Sequence, residues 1–312
     1  MSVVYSIDEM EHRDKLEACT FILADGKDSR SLAIINHLSK VDNRISDIIL
    51  IKYEEFDYSF IKSLMPNARL TIIDVIENNP MFISDLRKCE AILNEDTLVD
   101  MTSIRVPELF ALLKYLKMCN FDKKLEIAYV TPLDYEFSKE PFISYHSYYG
   151  NLKICDLIGY GGVSQNMSYN QMVIFMGFEG MLSAKVNEDL SYEKLILVNS
   201  MPSFFDKYKD ISLINNYEIL STRHEKLMYV PANNPFETYN FLCKTIDEKK
   251  PSCIAPLGSK PVSLGVCLYA LAHEMTRVVY GTPSYKLEEY MKKKQKNRTR
   301  NKIQKQSRKR NR

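Results

Sequence analysis

Residues 21–38, FILADGKDSRSLAIINHL, lay out a short apolar run, a polar turn and a helix-length segment, and residues 173–190, VIFMGFEGMLSAKVNEDL, repeat that layout. The apolar runs are of strand length, and the segments after the turns have the length and mixed polarity of a surface helix. Four further matches follow in the same order. IILIKYEEFDYSFIKSL (48–64) falls on LILVNSMPSFFDKYKDI (195–211), and Asn78-Asn79-Pro80 falls on Asn233-Asn234-Pro235. VDMTSIRVPELFALLKYL (99–116) falls on IAPLGSKPVSLGVCLYAL (254–271), which puts Arg105 on Lys260, and Thr131-Pro132 falls on Thr282-Pro283. Any two strand–helix segments share apolar strands, so a single match is weak. Five in one order, at offsets of 147 to 155 residues, point to an internal duplication.

Working outward, strand-like runs near 19–24, 46–52, 69–75, 96–101 and 125–130 alternate with helix-length segments near 28–39, 56–64, 80–93 and 106–118. After a stretch rich in Tyr, Phe and Ile at 134–160, the alternation resumes. Strands are expected near 172–176, 194–199, 226–231, 252–256 and 277–281, with helices near 179–190, 203–215, 235–249 and 261–274. This is the pattern of parallel α/β sheets. The fold class read from it is α/β, with two tandem Rossmann-like units related by a pseudo-two-fold axis. The first unit spans 1–133 and the second 172–285; 134–171 is a connector carrying an inserted β-hairpin or strand pair, and 286–312 is a basic tail. The alternative is one large doubly wound sheet whose halves look alike because α/β units do.

Composition narrows the class of protein. Hydrophobic residues at 45% and charged residues at 26% suit a globular chain with a sizeable core. No window nears the run of about 18 apolar residues of a membrane helix, and MSVVYSIDEMEHRDK lacks a secretory layout, so a cytoplasmic location without membrane contact is expected. The seven cysteines are scattered without a C-x-x-C pair, which argues for free thiols. The five histidines form no close pair, so neither a metal nor a cofactor is expected. The net charge of +2 hides an asymmetry: residues 291–312 carry 12 Lys and Arg and no acid, and the body that remains is near −10. The tail, including Lys292, Lys293, Lys294, Arg298, Arg300, Arg308, Lys309 and Arg310, can neutralise phosphates of RNA or DNA, or can fold onto the acidic body. It has no aromatic residue for base stacking, so sequence reading is not implied.

In open parallel sheets ligands bind beyond the carboxyl ends of the strands, and the polar residues gather there. The first turn contributes Asp25, Lys27, Asp28, Ser29 and Arg30, with Gly177 and Glu179 at the matching place in the second copy. The fourth turn contributes Asp100, Thr102, Ser103 and Arg105, matched by Gly258, Ser259 and Lys260. Hydroxyls, amides and a cation at a helix N-terminus can hold a phosphate, although the same residues also serve as plain helix caps. Asn78 and Asn233 can read a base edge or ribose, or can simply start a helix. No Walker loop, dinucleotide fingerprint or nucleophile elbow is present.

The segment Asp100-x-Thr-Ser-x-Arg105, after an apolar strand and before an amphipathic helix, resembles the CRISPR-associated Rossmann fold (CARF) domains. The second copy keeps the small residues and the cation but has Ala255 where the first has Asp100. Two such units in one chain are similar to the SAVED arrangement. The resemblance implies a sensor of cyclic oligonucleotides in antiviral defence, with the ligand in the cleft between units and with a protein effector as partner. It implies a cleft lined by the first polar turns and by the Thr102/Ser103/Arg105 and Ser259/Lys260 turns. Two other readings stay open: a nucleotide phosphodiesterase or nucleoside hydrolase using the same cleft, and a nucleic-acid-binding accessory protein acting through the tail.

Overall fold

The structure is a computed structural model that describes residues 18–26, 29–41, 44–53, 57–75, 81–132, 152–162, 169–221 and 226–283. Lys27, Asp28, Asn78, the side chain of Ser29 and the tail lysines and arginines lie outside the described residues. No helix of the described residues is long and apolar enough to cross a membrane.

Among the described residues, eleven strands build two sheets. The first contains β1 (Thr20–Ala24), β2 (Asp47–Lys52), β3 (Arg69–Asp74), β4 (Thr97–Asp100) and β5 (Leu125–Ala128), in the order β3-β2-β1-β4-β5 and wholly parallel. The second contains β6 (Leu152–Gly161), β7 (Tyr169–Phe175), β8 (Tyr192–Ser200), β9 (Lys226–Val230), β10 (Ser252–Pro256) and β11 (Thr276–Pro283). Its order is β6-β11-β10-β7-β8-β9. With β6 set aside, both sheets follow one rule: first strand in the middle, second and third to one side, fourth and fifth to the other. The chain is therefore an α/β protein of two Rossmann-like units in tandem, and the alternative of one continuous sheet does not hold.

Most of the connector, where the inserted hairpin or strand pair is expected, lies outside the described residues. Within the described residues it supplies one strand, β6, which runs antiparallel to β11 and covers that edge of the second sheet. An ion pair pins it: Arg277 Nε lies 2.5 Å from Asp156 Oδ1, and Arg277 Nη1 donates to the Tyr169 hydroxyl at 3.1 Å. The register shifts beside this pair, between Arg277 and Val279.

The helices of the first unit are α1 (Ala33–Leu38), preceded by a 3-10 turn at Ser29–Leu32, α2 (Ser59–Leu64), α3 (Met81–Arg87) and α4 (Val106–Met118). Those of the second are α5 (Gly180–Asp189), α6 (Asp206–Asn215), α7 (Tyr217–Leu220), α8 (Pro235–Thr245) and α9 (Lys260–Ala272). Helices α4 and α9 are apolar almost all round and buried along most of their length. A helix of that kind needs cover on every side, and each obtains it by lying between the two sheets and against the other. They are also the pair that the 155-residue offset equates.

The strands show why the layers stack. Alternate residues point to opposite faces. Ile22, Ile49 and Val99 of the first sheet and Val173, Ile196 and Ile254 of the second face one shared cluster around α3, α4, α8 and α9. Phe21, Leu23, Ile48 and Leu50 face outward onto α1 and α2, and Met172, Ile174, Leu195 and Leu197 face Val186 of α5 and Ile219 of α7. The order of layers is helices, sheet, helices, sheet, helices. Gly265 sits where α9 meets α8, and a methyl there would lie 2.3 Å from the Pro235 carbonyl oxygen. Tyr160 ties the layers together, donating to the Phe110 carbonyl at 3.1 Å with the Cys267 sulfur at 3.3 Å.

Candidate functional site

In each sheet the strand order reverses between the first and fourth strands, which opens a crevice at their carboxyl ends. In the first unit the crevice is bounded by the turns after β1 and β4. Asp25, directly after β1, is buried, and its carboxylate accepts the Tyr53 N–H at 2.9 Å. Gly26 passes under Ser103: a methyl on it would stand 2.7 Å from Ser103 Oγ. Arg30 Nη1 donates to the Val130 carbonyl at 3.1 Å, tying the 3-10 turn to the end of β5.

The turn after β4 is organised by its own side chains. Asp100 Oδ1 accepts the Thr102 N–H at 2.9 Å, and Thr102 Oγ1 accepts the Val130 N–H at 2.9 Å. Burial pushes the Asp100 carboxyl above its ordinary range, while the hydrogen bonds from Thr102 and the charges of Lys260 and Arg30 act against that rise. Arg105 stands at the N-cap of α4 in an extended conformation and makes no side-chain cap bond. Its guanidinium carbon lies 4.0 Å from the centroid of the Tyr53 ring, and its N–H donates to the Tyr53 hydroxyl at 3.0 Å. Tyr53 Oη is also 3.4 Å from Oε2 of Glu108, a buried carboxylate in the first turn of α4. A carboxylate there complements the positive end of the helix dipole.

In the second unit several of the matching residues hold the scaffold. Gly177 runs against the 257–258 backbone, where a methyl would lie 2.0 Å from the Leu257 oxygen. Its carbonyl accepts from Ser212 Oγ at 3.0 Å and Asn216 Nδ2 at 2.7 Å. Ser259 caps α9 by accepting the Val262 N–H at 3.4 Å, and its hydroxyl donates to the Ala232 carbonyl at 2.5 Å. A methyl on Gly258 would make ordinary contacts, the nearest at 3.5 Å, so close backbone approach does not require glycine there. Glu179 is exposed, and Asn233 is exposed in the turn before α8. The helix-starting role falls to Asn234, whose Oδ1 accepts the N–H groups of Phe236 at 3.0 Å and Glu237 at 3.3 Å.

Lys260 joins the two units. From the first position of α9 its Nζ donates to the Met101 carbonyl at 3.0 Å and to the Thr102 carbonyl. The cation-bearing turn of the second copy therefore touches the matching turn of the first, beside Asp100 and three residues before Arg105.

No family model and no curated protein matches the chain. Among solved structures it is similar to a universal stress protein from Archaeoglobus fulgidus DSM 4304, with 9% identity, a TM-score of 0.21, and 85% of this chain and 96% of that chain covered. A likeness at that level adds nothing to what the strand order already establishes.

The geometry thus brings Asp25, Ser103, Asp100, Thr102, Arg105 and Lys260 to the neighbouring turns after β1 and β4, and it leaves Glu179 and Asn233 at the surface of the second unit. Tyr53 and Glu108 organise this crevice and were not singled out from the sequence. The usable signal was an aromatic directly after a second strand, IILIKY, at the end of the sheet where loops collect.

Proposed function

We propose that the chain is a nucleotide receptor whose ligand, a cyclic oligonucleotide in the reading that the CARF and SAVED resemblance suggests, binds between two units bounded near residues 133 and 172. One observation carries this reading: Lys260 of the second unit reaches the carbonyls of Met101 and Thr102 in the first. A symmetric anion needs cations from both copies at one place, and this contact supports that arrangement with Arg105 close by. An aromatic ring under a guanidinium also offers a flat surface for a base.

A receptor fits better than a hydrolase. Asp25 and Asp100, the carboxylates best located for acid–base work, are buried and hold backbone N–H groups of Tyr53 and Thr102. Carboxylates used in that way stabilise turns. The defence setting and an effector partner rest on the resemblance alone, and nucleic-acid binding by the tail is a separate proposal on its charge.

The test is a panel of cyclic and linear nucleotides, read by melting shift and by product formation. The receptor reading expects a shift without turnover, reduced in Arg105→Ala and Lys260→Ala. Turnover abolished by those variants would establish the enzyme instead. No response to any nucleotide, with tail-dependent retardation of RNA, would establish the accessory protein.

A further inference from the structure

The third strand of each unit closes one end of its sheet, β3 in the first and β9 in the second. Open edges invite pairing with another chain, and charged side chains are the usual guard. β3 carries them at both ends: Arg69 lies 2.6 Å from Asp47 and Asp74 lies 3.5 Å from Lys52, each pair reaching across to β2. β9, Lys-Leu-Met-Tyr-Val, has one lysine at its start and no acid. Among the described residues it pairs with β8 alone, and nothing meets its far edge. Apolar exposure collects at the same place. Of the nine large hydrophobic side chains exposed among the described residues, five (Met201, Phe205, Ile214, Tyr217 and Tyr229) lie on β9 or on the segment that leads into it from β8. Such a concentration marks an interface rather than ordinary surface.

The backbone says what kind of partner fits. The Val230 carbonyl accepts the Met201 N–H at 2.7 Å, so Val230 turns its polar groups toward the β8 side. Within a strand the N–H and C=O of one residue share a side, and successive residues alternate. Met228 and Lys226 therefore also face β8, and Leu227 and Tyr229 turn their amides and carbonyls out of the sheet. A second β9, brought up antiparallel across a two-fold axis at Met228, meets that pattern in full. Leu227 of one copy stands opposite Tyr229 of the other and exchanges both hydrogen bonds with it, and the axis repeats the exchange. A slip of one residue would set outward groups against inward ones and leave these bonds unmade.

The side chains agree with this register. Leu227 packs on the outer cluster, and Tyr229 shares its face, so each cross-strand pair continues an apolar surface over the axis. Lys226 stands opposite Val230, which keeps the two lysines four positions, or roughly 14 Å, apart along the ladder. At physiological salt that exceeds the screening length of about 8 Å. We propose that β9 is a self-association edge: two copies of this chain pair through it, antiparallel about a two-fold axis at Met228, and their six-stranded sheets join end to end.

The contact is short, so association is expected at about 100 µM chain and not at about 1 µM. Sedimentation of the full chain over that range should show the mass rising toward twice that of one chain. Tyr229→Lys, a change on an exposed side chain, should weaken association about tenfold or more and leave the melting curve at low concentration unchanged. Met228→Cys reads the register. Facing residues of a non-hydrogen-bonded antiparallel pair have Cα atoms about 4.5 Å apart, within disulfide reach, so mild oxidation should cross-link this variant. Lys226→Cys should not cross-link above the background that the parent's own thiols set. A single-chain mass at every concentration overturns the proposal, as does a dimer that survives Tyr229→Lys. Cross-linking as ready through Lys226→Cys as through Met228→Cys overturns it too, and if Met228→Cys does not fold, Tyr229→Lys decides.

Discussion

Arg105 lies over the face of Tyr53, with its guanidinium carbon 4.0 Å from the ring centroid, while the Tyr53 hydroxyl accepts the Arg105 N–H at 3.0 Å. One side chain therefore fixes both the backbone and the cation at the start of α4. It also explains why an N-cap without a capping side chain holds its place: the phenol, brought from the end of β2, performs the capping from outside the helix.

Tyr53→Phe keeps the ring under the guanidinium but removes the acceptor for the Arg105 amide and the contact with Glu108. Leaving such groups without a partner costs about 1–3 kcal/mol. Urea unfolding should report a loss in that range, and Tyr53→Ala should lose more, since the cation–π contact is worth a further ~0.5–1 kcal/mol. A phenylalanine variant as stable as the parent would mean that water replaces the hydroxyl.

Lys260→Met preserves the length and apolar stem of the side chain and deletes the ammonium. Hydrogen bonds to a charged donor contribute about 1.5–3 kcal/mol each, so the variant should unfold at lower urea. Faster hydrogen exchange should be confined to the turn at 101–105 and the first turn of α9. Exchange rising evenly over the chain would argue against a local tie.

Asp100 gives a pH signature. Its carboxyl titrates above the ordinary value in the folded chain because of burial, so the folded state favours the protonated form. That contribution is complete below the unfolded value of 3.8 and is lost as pH rises through the folded value. Asp100→Asn, neutral at every pH, should therefore gain on the parent from about pH 4 upward and match it below. Paired melting curves at pH 4 and pH 7 check the sign.

Arg277 and Asp156 hold β6 to the second sheet. Removing one partner of a largely buried pair strands the other charge, at about 3–5 kcal/mol. Arg277→Leu should destabilise the chain in that range, whereas Arg277→Leu combined with Asp156→Leu should recover most of the loss. A double variant no better than the single one would show that the pair holds the edge strand by geometry rather than by charge balance.

Much of the fold was legible because period and order survive in apolar residues. The runs at 21–24, 253–256 and 195–198 sit in interior strands, wholly apolar and buried on both faces. The connector was less legible. The antiparallel partner of β6 lies more than 100 residues away, a pairing that no local pattern announces. At the candidate site, local sequence indicated the cations but not their environment. Spacing brings Arg105 to a helix start; it says nothing of Tyr53, 52 residues earlier, or of the carbonyls that Lys260 finds 158 and 159 residues back. For the Asn233-Asn234-Pro235 run the sequence offered helix starting without saying which asparagine does it, and the turn geometry gives that role to Asn234, the residue before the proline.

The cluster that runs from Ile22 through Leu112 and Val266 to Ile254 belongs to both sheets at once. A gene fragment encoding either half would bare that shared surface to water, so neither repeat is a portable module. Heat or urea should therefore melt the molecule in a single cooperative step.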